Sequence, residues 1–402
     1  MTDETAGDLG FRTDFASGNG LVSFRVSLGN GPTVVELSAI CDGGSVPLWF
    51  YTKMSGLGRE FIHLRLANAA QMNGDPAGWA GNTIVIRDGE DVWRRSPLPI
   101  IEDDAAGVMR VAYPLHILSD QFEVAWCYPY LHDDLREMVR DGRLWEAARI
   151  GRSAAGRVIE RYRLGSNTSS ASRDRDKRAS VYVIGGQCAG ETSANWVLDG
   201  LMRSAALDQG SRLPGRGGLD WWVLPCLDVD GRDEGRYGRG LYGGEFDSCW
   251  GDKAGRTEVR AVMLDMERWA LASKPRLVIN LQGTSHGDRS TRIINHGGTN
   301  GGGDENQGGV DVDGLIEEFR AGVETLTAVG SDYPERDVDM VGGLDPSRAE
   351  CANFWGSWVM RHMGVPALSL AVSMQGSPEN DFEVEDYQRI GHGLYGAISS
   401  ML

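Results

Sequence analysis

A chain of 402 residues, 41% of them hydrophobic, is long enough for one large core and a smaller one. Its 57 acidic residues against 40 basic ones leave a net charge of −17, which argues against a general nucleic-acid binder and against attachment to an anionic membrane. Six cysteines (Cys41, Cys127, Cys188, Cys226, Cys249 and Cys351) are scattered without a Cys-x-x-Cys pair, so neither a disulfide framework nor a structural zinc module is expected.

The acidic start Met1-Thr-Asp-Glu-Thr has no apolar stretch of the secretory kind, and no apolar run approaches the roughly 20 residues of a membrane span, so a cytoplasmic protein is expected. From about residue 10 to 135 the pattern is short, aromatic and β-branched. Val22-Ser-Phe-Arg-Val, Thr33-Val-Val-Glu-Leu, Trp49-Phe-Tyr, Thr83-Ile-Val-Ile, Gly107-Val-Met-Arg-Val and Phe122-Glu-Val-Ala-Trp read as strands separated by Gly, Asp, Asn and Pro. Short strands with turn chemistry between them predict a small antiparallel sandwich over residues 1–135.

The texture then changes. A helix is expected over Asp133–Ala148, a hairpin through Ile159–Leu164 and an exposed loop over Ser166–Ser180. Strands and helices alternate from there on. Val181-Tyr-Val-Ile precedes a helix with Ala194, Val197, Leu198, Leu201 and Ala205 on its apolar face. Leu219-Asp-Trp-Trp-Val-Leu precedes a long loop and a helix carrying Val259, Val262, Met263, Met266 and Trp269. Leu277-Val-Ile-Asn-Leu is a buried-type strand. Ile316, Phe319, Val323 and Leu326 mark another helix, and Ser347 with Glu350 reads as a capping box opening the helix of Phe354, Trp358 and Met360. Pro366-Ala-Leu-Ser-Leu-Ala-Val is the last strong strand, before a closing helix through Tyr387, Ile390, Leu394 and Ile398. Residues 136–402 are thus expected to form an α/β/α domain with a central mixed sheet and function at the carboxyl ends of its strands.

Two tempting motifs read as ordinary structure. The glycine-rich stretch Gly297–Gly309 lacks the Lys-Ser/Thr pair and the following helix of a phosphate loop, which leaves a surface loop. Asp228-Val-Asp-Gly and Asp311-Val-Asp-Gly match a calcium loop for three ligands only, without the closing glutamate, so each reads as a turn.

Four segments, in order, resemble the zinc carboxypeptidases of the carboxypeptidase A clan, and in particular the cytosolic carboxypeptidase subgroup. Val183-Ile-Gly-Gly-Gln-Cys-Ala-Gly-Glu191 is similar to that family's strand ending in His-Pro-Gly-Glu. Val223-Leu-Pro-Cys-Leu-Asp-Val-Asp-Gly231, continuing through Gly235-Arg-Tyr-Gly-Arg-Gly-Leu-Tyr-Gly-Gly-Glu-Phe-Asp-Ser-Cys-Trp250, resembles its Asn-Pro-Asp-Gly and Asp-Leu-Asn-Arg-x-Trp segments. Ile279-Asn-Leu-Gln-Gly-Thr-Ser285 is similar to the strand Asp-Leu-His-Gly-His-Ser, and Pro366–Ser373 to the strand ending Tyr-Thr-Leu-Glu-Met-Pro. Trp49-Phe-Tyr and Trp126-Cys-Tyr-Pro-Tyr130 look like the two aromatic strands of the sandwich that precedes the catalytic domain in that subgroup.

The resemblance implies a zinc held by two histidines and a glutamate, a glutamate base, an arginine for the oxyanion and an Asn-Arg pair for the substrate carboxylate. This sequence departs from that set position by position. The first histidine ligand is Cys188, the glutamate ligand is kept as Glu191, and the second histidine ligand is Gln282. The general base is Ala371. The oxyanion arginine falls on Gly238, one residue before Arg239, and the carboxylate clamp is Asp247-Ser248. No zinc or other cofactor is expected, and hydrolysis is expected to be lost.

Cys188 has two readings, a nucleophile with His286 as its base or a small buried filler, and with Glu191 and His286 it is also a candidate soft-metal set. Glu191 is either charge complementation of a helix start or a leftover ligand. Tyr237 and Arg239 either line a substrate groove or anchor the long loop. Trp221, Trp222 and Trp250 are expected in the core, and His296, His362 and His392 outside the site. The expected function is non-catalytic binding of a polypeptide or protein partner. The alternative is a rewired enzyme, using Cys188 for acyl transfer or another metal set, or retaining a residue of metallocarboxypeptidase activity.

Overall fold

Alternation builds the front region. In Phe61-Ile-His-Leu-Arg-Leu66 every second side chain is buried, and Ile62, Leu64 and Leu66 stand directly opposite Leu115, Tyr113 and Val111 of a neighbouring strand. Such facing pairs are the unit that stabilises a sheet. The computed structural model describes residues 10–25, 32–40, 46–58, 60–73, 76–103, 109–142, 144–165, 178–211, 218–239, 241, 245–251, 254–284, 286–296, 314, 317–319, 321, 354–377 and 380–402. Its first ten strands are β1 (Gly10–Arg12), β2 (Leu21–Arg25), β3 (Thr33–Ser38), β4 (Tyr51–Ser55), β5 (Phe61–Leu66), β6 (Val85–Asp88), β7 (Arg94–Arg95), β8 (Ile100–Asp103), β9 (Met109–His116) and β10 (Gln121–Ala125). They form two five-stranded sheets, β1-β4-β10-β6-β7 and β2-β3-β5-β9-β8.

One pair departs from the antiparallel expectation: β3 and β5 run parallel. The chain leaves β3, builds β4 in the other sheet and re-enters as β5 in the same direction, a crossover that requires parallel pairing.

After two short helices, α1 (Ala69–Met72) and α2 (Pro76–Ala80), the helix expected to reach Ala148 ends at Gly142, as α3 (His132–Gly142). Glu146–Arg152 is instead strand β11, paired with β12 (Val158–Leu164) from Glu146↔Arg163 to Arg152↔Val158. Long-range pairing here overrides a local helical preference.

The second region holds a seven-stranded mixed sheet. Its further strands are β13 (Ala179–Gly185), β14 (Asp220–Leu224), β15 (Lys274–Gly283), β16 (Arg292–Asn295) and β17 (Ala367–Val372), in the order β11-β12-β14-β13-β15-β17-β16. The four central strands are parallel, β12 and β16 flank them antiparallel, and the edge strand β11 pairs antiparallel with β12. Alternate residues of β13 enter different cores. Val181 and Val183 join the cluster that holds Val197 and Leu201 of helix α4 (Thr192–Ser211) and Ile390 of the closing helix Val384–Met401. Tyr182 and Ile184 join Val259, Val262, Met266 and Trp269 of helix α6 (Thr257–Ala272). This is the period-2 signature of a sheet covered on both faces.

Trp221, Trp222 and Trp250 are buried, as expected. Asp228-Val-Asp-Gly opens a six-residue helix, Val229–Glu234, with Asp228 accepting the Gly231 N–H as its cap, where a turn was expected. The stretches Ser166–Lys177 and Gly297–Gly309, the Asp311–Asp313 start of the second acidic run, and the Ser347–Glu350 capping box lie outside the described residues, as do Ile316, Val323 and Leu326. Phe319 is buried.

The core cluster is continuous from the sandwich (Trp49, Phe50, Trp126) into α4 and the closing helix. Arg95 crosses the same junction. From β7 its guanidinium donates to the carbonyls of Phe382 and Met374, to Gln375 Oε1 and to the Tyr387 hydroxyl. It ties the loop that follows β17 to the sandwich. No helix among the described residues is long and apolar enough to cross a membrane.

Candidate functional site

Strand β13 ends at Gly185, and the chain turns through Gly186 (φ +61°), where a Cβ would lie 2.9 Å from Arg232 Nη2 and 3.0 Å from Cys226 Cα. That turn delivers Cys188 and Glu191 to the start of α4. The Cys188 carbonyl accepts the Glu191 N–H at 3.2 Å. Cys188 is a free thiol, 3% exposed, and burial first, then the Glu191 carboxylate, pushes it well above the ordinary cysteine range.

Glu191 is 2% exposed, and both of its oxygens are taken. Oε2 accepts the Gly283 N–H at the end of β15, at 2.7 Å. Oε1 accepts Arg239 Nε at 2.7 Å and Nη2 at 2.6 Å. The carboxylate thus joins α4, β15 and the long loop after β14. It is neither idle at a helix start nor open to a metal.

Arg239 reaches Glu191 through a closely fitted loop. The Gly190 N–H donates to the Tyr237 carbonyl at 2.8 Å, and Gly238 has φ +96°. A Cβ on Gly238 would lie 2.6 Å from the Ala189 nitrogen and 2.9 Å from Cys188 Cα, so no arginine fits there on this backbone. The positive charge is carried by the next residue, Arg239, and turned inward onto Glu191. Tyr237 is itself buried against this loop, and its phenol is pushed up by burial, then by Glu191. Glu191, first, raises the Arg239 pKa, against the cost of burial.

Arg239 Nη1 also faces Glu245 at 3.6 Å and Asp247 at 3.9 Å. Burial pushes Asp247 up to about 6, with Arg239 opposing and Glu245 and Glu191 adding to the rise. A carboxyl whose folded value lies above its ordinary 3.8 contributes stability that is fully present below pH 4 and lost as pH rises through about 6. Asp247→Asn is therefore expected to stabilise the fold at pH 7 by on the order of 2 kcal/mol. Urea unfolding of both proteins at pH 7 and at pH 4 checks this, with the difference vanishing at the lower pH. Ser248 is exposed and its hydroxyl donates to the Glu245 carbonyl at 3.2 Å.

A chain of neutral groups runs to β15. Trp250 Nε1–H donates to Gln187 Oε1 (3.3 Å), Gln187 Nε2 to Asn280 Oδ1 (2.8 Å), and Asn280 Nδ2 to Gln282 Oε1 (3.0 Å). Gln282 stands opposite Ala371 in the β15–β17 register, and Arg292 of β16 stands opposite Ala371 on its other side. The alanine methyl there can move no proton.

His286 lies among aromatics of the sandwich, its ring centroid 4.5 Å from that of Trp79 and 4.7 Å from that of Trp126, with Asn82 Nδ2 at 3.5 Å from its Nε2. His296 is buried on Ser369, His392 pairs with Ser204, and His362 pairs with Glu267 at the surface. Among the described residues, no three His, Cys, Asp or Glu side chains converge as a metal-holding group. Zinc does not fit the donors present: a buried thiol held protonated, a carboxylate with both oxygens engaged, and a neutral amide oxygen.

Sequence reasoning missed Glu245, Gln187, Asn280 and Gly283. Asn280 was within reach, since it lies two residues from Gln282 and so on the same face of the strand. Three cavities lie away from these residues. One of about 410 Å³ is lined by Ser17, His132, Arg136, Cys226 and Arg232, one of about 320 Å³ by Trp221 and Tyr395, and one of about 520 Å³ by Tyr51, Trp93 and Trp196.

No known family's sequence model matches the chain, and no curated protein matches it. Solved structures do. The metallo-carboxypeptidase of Burkholderia cenocepacia aligns over 97% of both chains with a TM-score of 0.73 and 18% identity. That of Pseudomonas aeruginosa aligns over 97% of this chain and 98% of its own, with a TM-score of 0.71 and 20% identity. The chain has the metallo-carboxypeptidase fold across nearly its whole length.

Proposed function

We propose that this chain is a carboxypeptidase-fold protein without zinc-dependent peptide hydrolysis, acting in the cytoplasm by binding a polypeptide or protein partner rather than nucleic acid or membrane. Fold does not imply function, and the site must carry the argument. The observation that supports the reading most is the state of Glu191. Its two oxygens hold Arg239 and Gly283, so the one family ligand kept in this sequence is spent on internal bonds.

The other mapped positions agree. A base at position 371 would need a titratable group, and Ala371 has none. An Asn-Arg clamp attracts a carboxylate, whereas Asp247 with Glu245 repels one. Arg239, Gln282, Asp247 and Glu245 are partly buried and Ser248 is exposed, a polar surface suited to contact rather than to bond cleavage.

The rewired reading, with Cys188 as nucleophile, has the weaker support. A thiol that burial holds protonated is a poor attacking group, and His286 is engaged by Trp79 and Trp126. The test combines metal analysis of the purified protein, assays on C-terminally acidic and neutral peptides, and iodoacetamide labelling. The expected outcome is less than stoichiometric zinc, no turnover, and labelling of Cys188 only on unfolding. One zinc per chain with turnover abolished by a chelator would overturn the proposal, and rapid pH-dependent labelling of native Cys188 would restore the thiol-enzyme alternative.

A further inference from the structure

Three carboxylates gather around one cation near the end of β15. Arg239 meets Glu191 through Nε and Nη2 and faces Glu245 and Asp247 through Nη1. The acids surround a planar fork rather than a point. A guanidinium is broader than a divalent ion and fixes its donors in one plane. Carboxylates placed to reach its separate edges are too dispersed to close on a metal, in keeping with the lack of a metal-holding triple among the described residues.

The backbone is shaped to the same end. Gly238 takes φ +96° with Cys188 and Ala189 pressed against it, and Gly190 pins the Tyr237 carbonyl. The next residue is thereby aimed at Glu191. Gly283 leaves room for the Glu191 side chain, since a Cβ there would lie 2.9 Å from Glu191 Cβ and Cγ.

The geometry points to a guanidinium site whose resident ligand is the chain's own Arg239, standing where the resemblance expects a metal. This rests on the metal-free reading above and adds the chemistry of the occupant.

Chemical rescue tests it. Arg239→Ala leaves the acids and an empty place for a planar cation. Its melting temperature should fall by about 5 °C or more, the loss expected when a buried ion pair loses one partner. Millimolar methylguanidinium chloride should restore at least half of that fall, while equal methylammonium chloride, sodium chloride or zinc chloride should not. The wild type and the double variant Glu191→Gln/Arg239→Ala should not respond to methylguanidinium. Equal rescue by the other salts, better rescue by zinc, or no rescue would each overturn the proposal. If Arg239→Ala does not accumulate folded, the same salts are compared on the refolding yield of Arg239→Gln, and lack of a methylguanidinium-specific gain overturns it equally. Stoichiometric zinc in the wild type would defeat the metal-free reading itself. A zinc-free wild type whose Arg239 variant ignores methylguanidinium would defeat only the guanidinium site.

Discussion

Glu191→Gln is expected to destabilise the fold by about 3–5 kcal/mol, the range found when one member of a buried ion pair is removed. The carboxylate is 2% exposed and the Arg239 side chain 29%, so the orphaned cation has limited access to water. The Gly283 N–H also loses a charged acceptor, and bonds to charged groups are worth about 1.5–3 kcal/mol each. Were Glu191 an idle metal ligand, the isosteric amide would cost little. Urea unfolding separates the two cases. A double-mutant cycle with Arg239→Gln sharpens the result, because Glu191→Gln/Arg239→Gln should cost clearly less than the sum of the single changes. Additive losses would mean that the two side chains do not act as a pair.

The second large effect lies in the support beneath the site. Helix α4, which begins beside Glu191, crosses the closing helix at two glycines. A Cβ on Gly391 would lie 2.0 Å from the Val197 carbonyl oxygen and 2.7 Å from the Leu201 nitrogen; one on Gly200 would lie 2.0 Å from the Gln388 carbonyl oxygen. These neighbours are backbone and cannot step aside. Alanine normally gains up to about 1 kcal/mol over glycine inside a helix. Overpacking costs about 1–3 kcal/mol, occasionally more, and the overlap here is severe, so the loss wins. Gly391→Ala should destabilise by about 3 kcal/mol or more. Gly396 of the same helix is the internal control, since a Cβ there meets nothing within 4 Å. Gly396→Ala should instead stabilise by about 0.5–1 kcal/mol. Opposite signs in one helix, read from thermal or urea unfolding, confirm that the helices touch through Gly391, and equal signs refute it.

Much of the fold was legible because its signals are local. Val181-Tyr-Val-Ile and Leu277-Val-Ile-Asn-Leu read as buried strands, and they are β13 and β15. The apolar positions of α4 and α6 recur at helical spacing, and both helices stand where that spacing puts them. Strands such as Arg292–Asn295 at the sheet edge were not legible, being short, half polar and dependent on β17 for their bonds. Glu146–Arg152 shows the same limit, since only its partner β12 makes it a strand.

The site divides along the same line. Cys188, Glu191, Gln282 and Ala371 were singled out through the family resemblance, and the structure sets the first two after β13, Gln282 in β15 and Ala371 in β17. That Glu191 would bind Arg239, 48 residues away, has no local trace. His286 was weighed with Cys188 because it follows Gln282 by four residues, but β15 has ended by then and the chain has turned toward Trp79. Nearness in sequence there said nothing about nearness in space.

The three-way joint of Glu191, Arg239 and Gly283 also makes this sequence a poor starting point for introducing metal chemistry by small steps. A histidine introduced at position 188 or 282 alone would meet a carboxylate already committed elsewhere, and freeing that carboxylate first would weaken the scaffold. The present arrangement is thereby entrenched, held in place by the cost of leaving it.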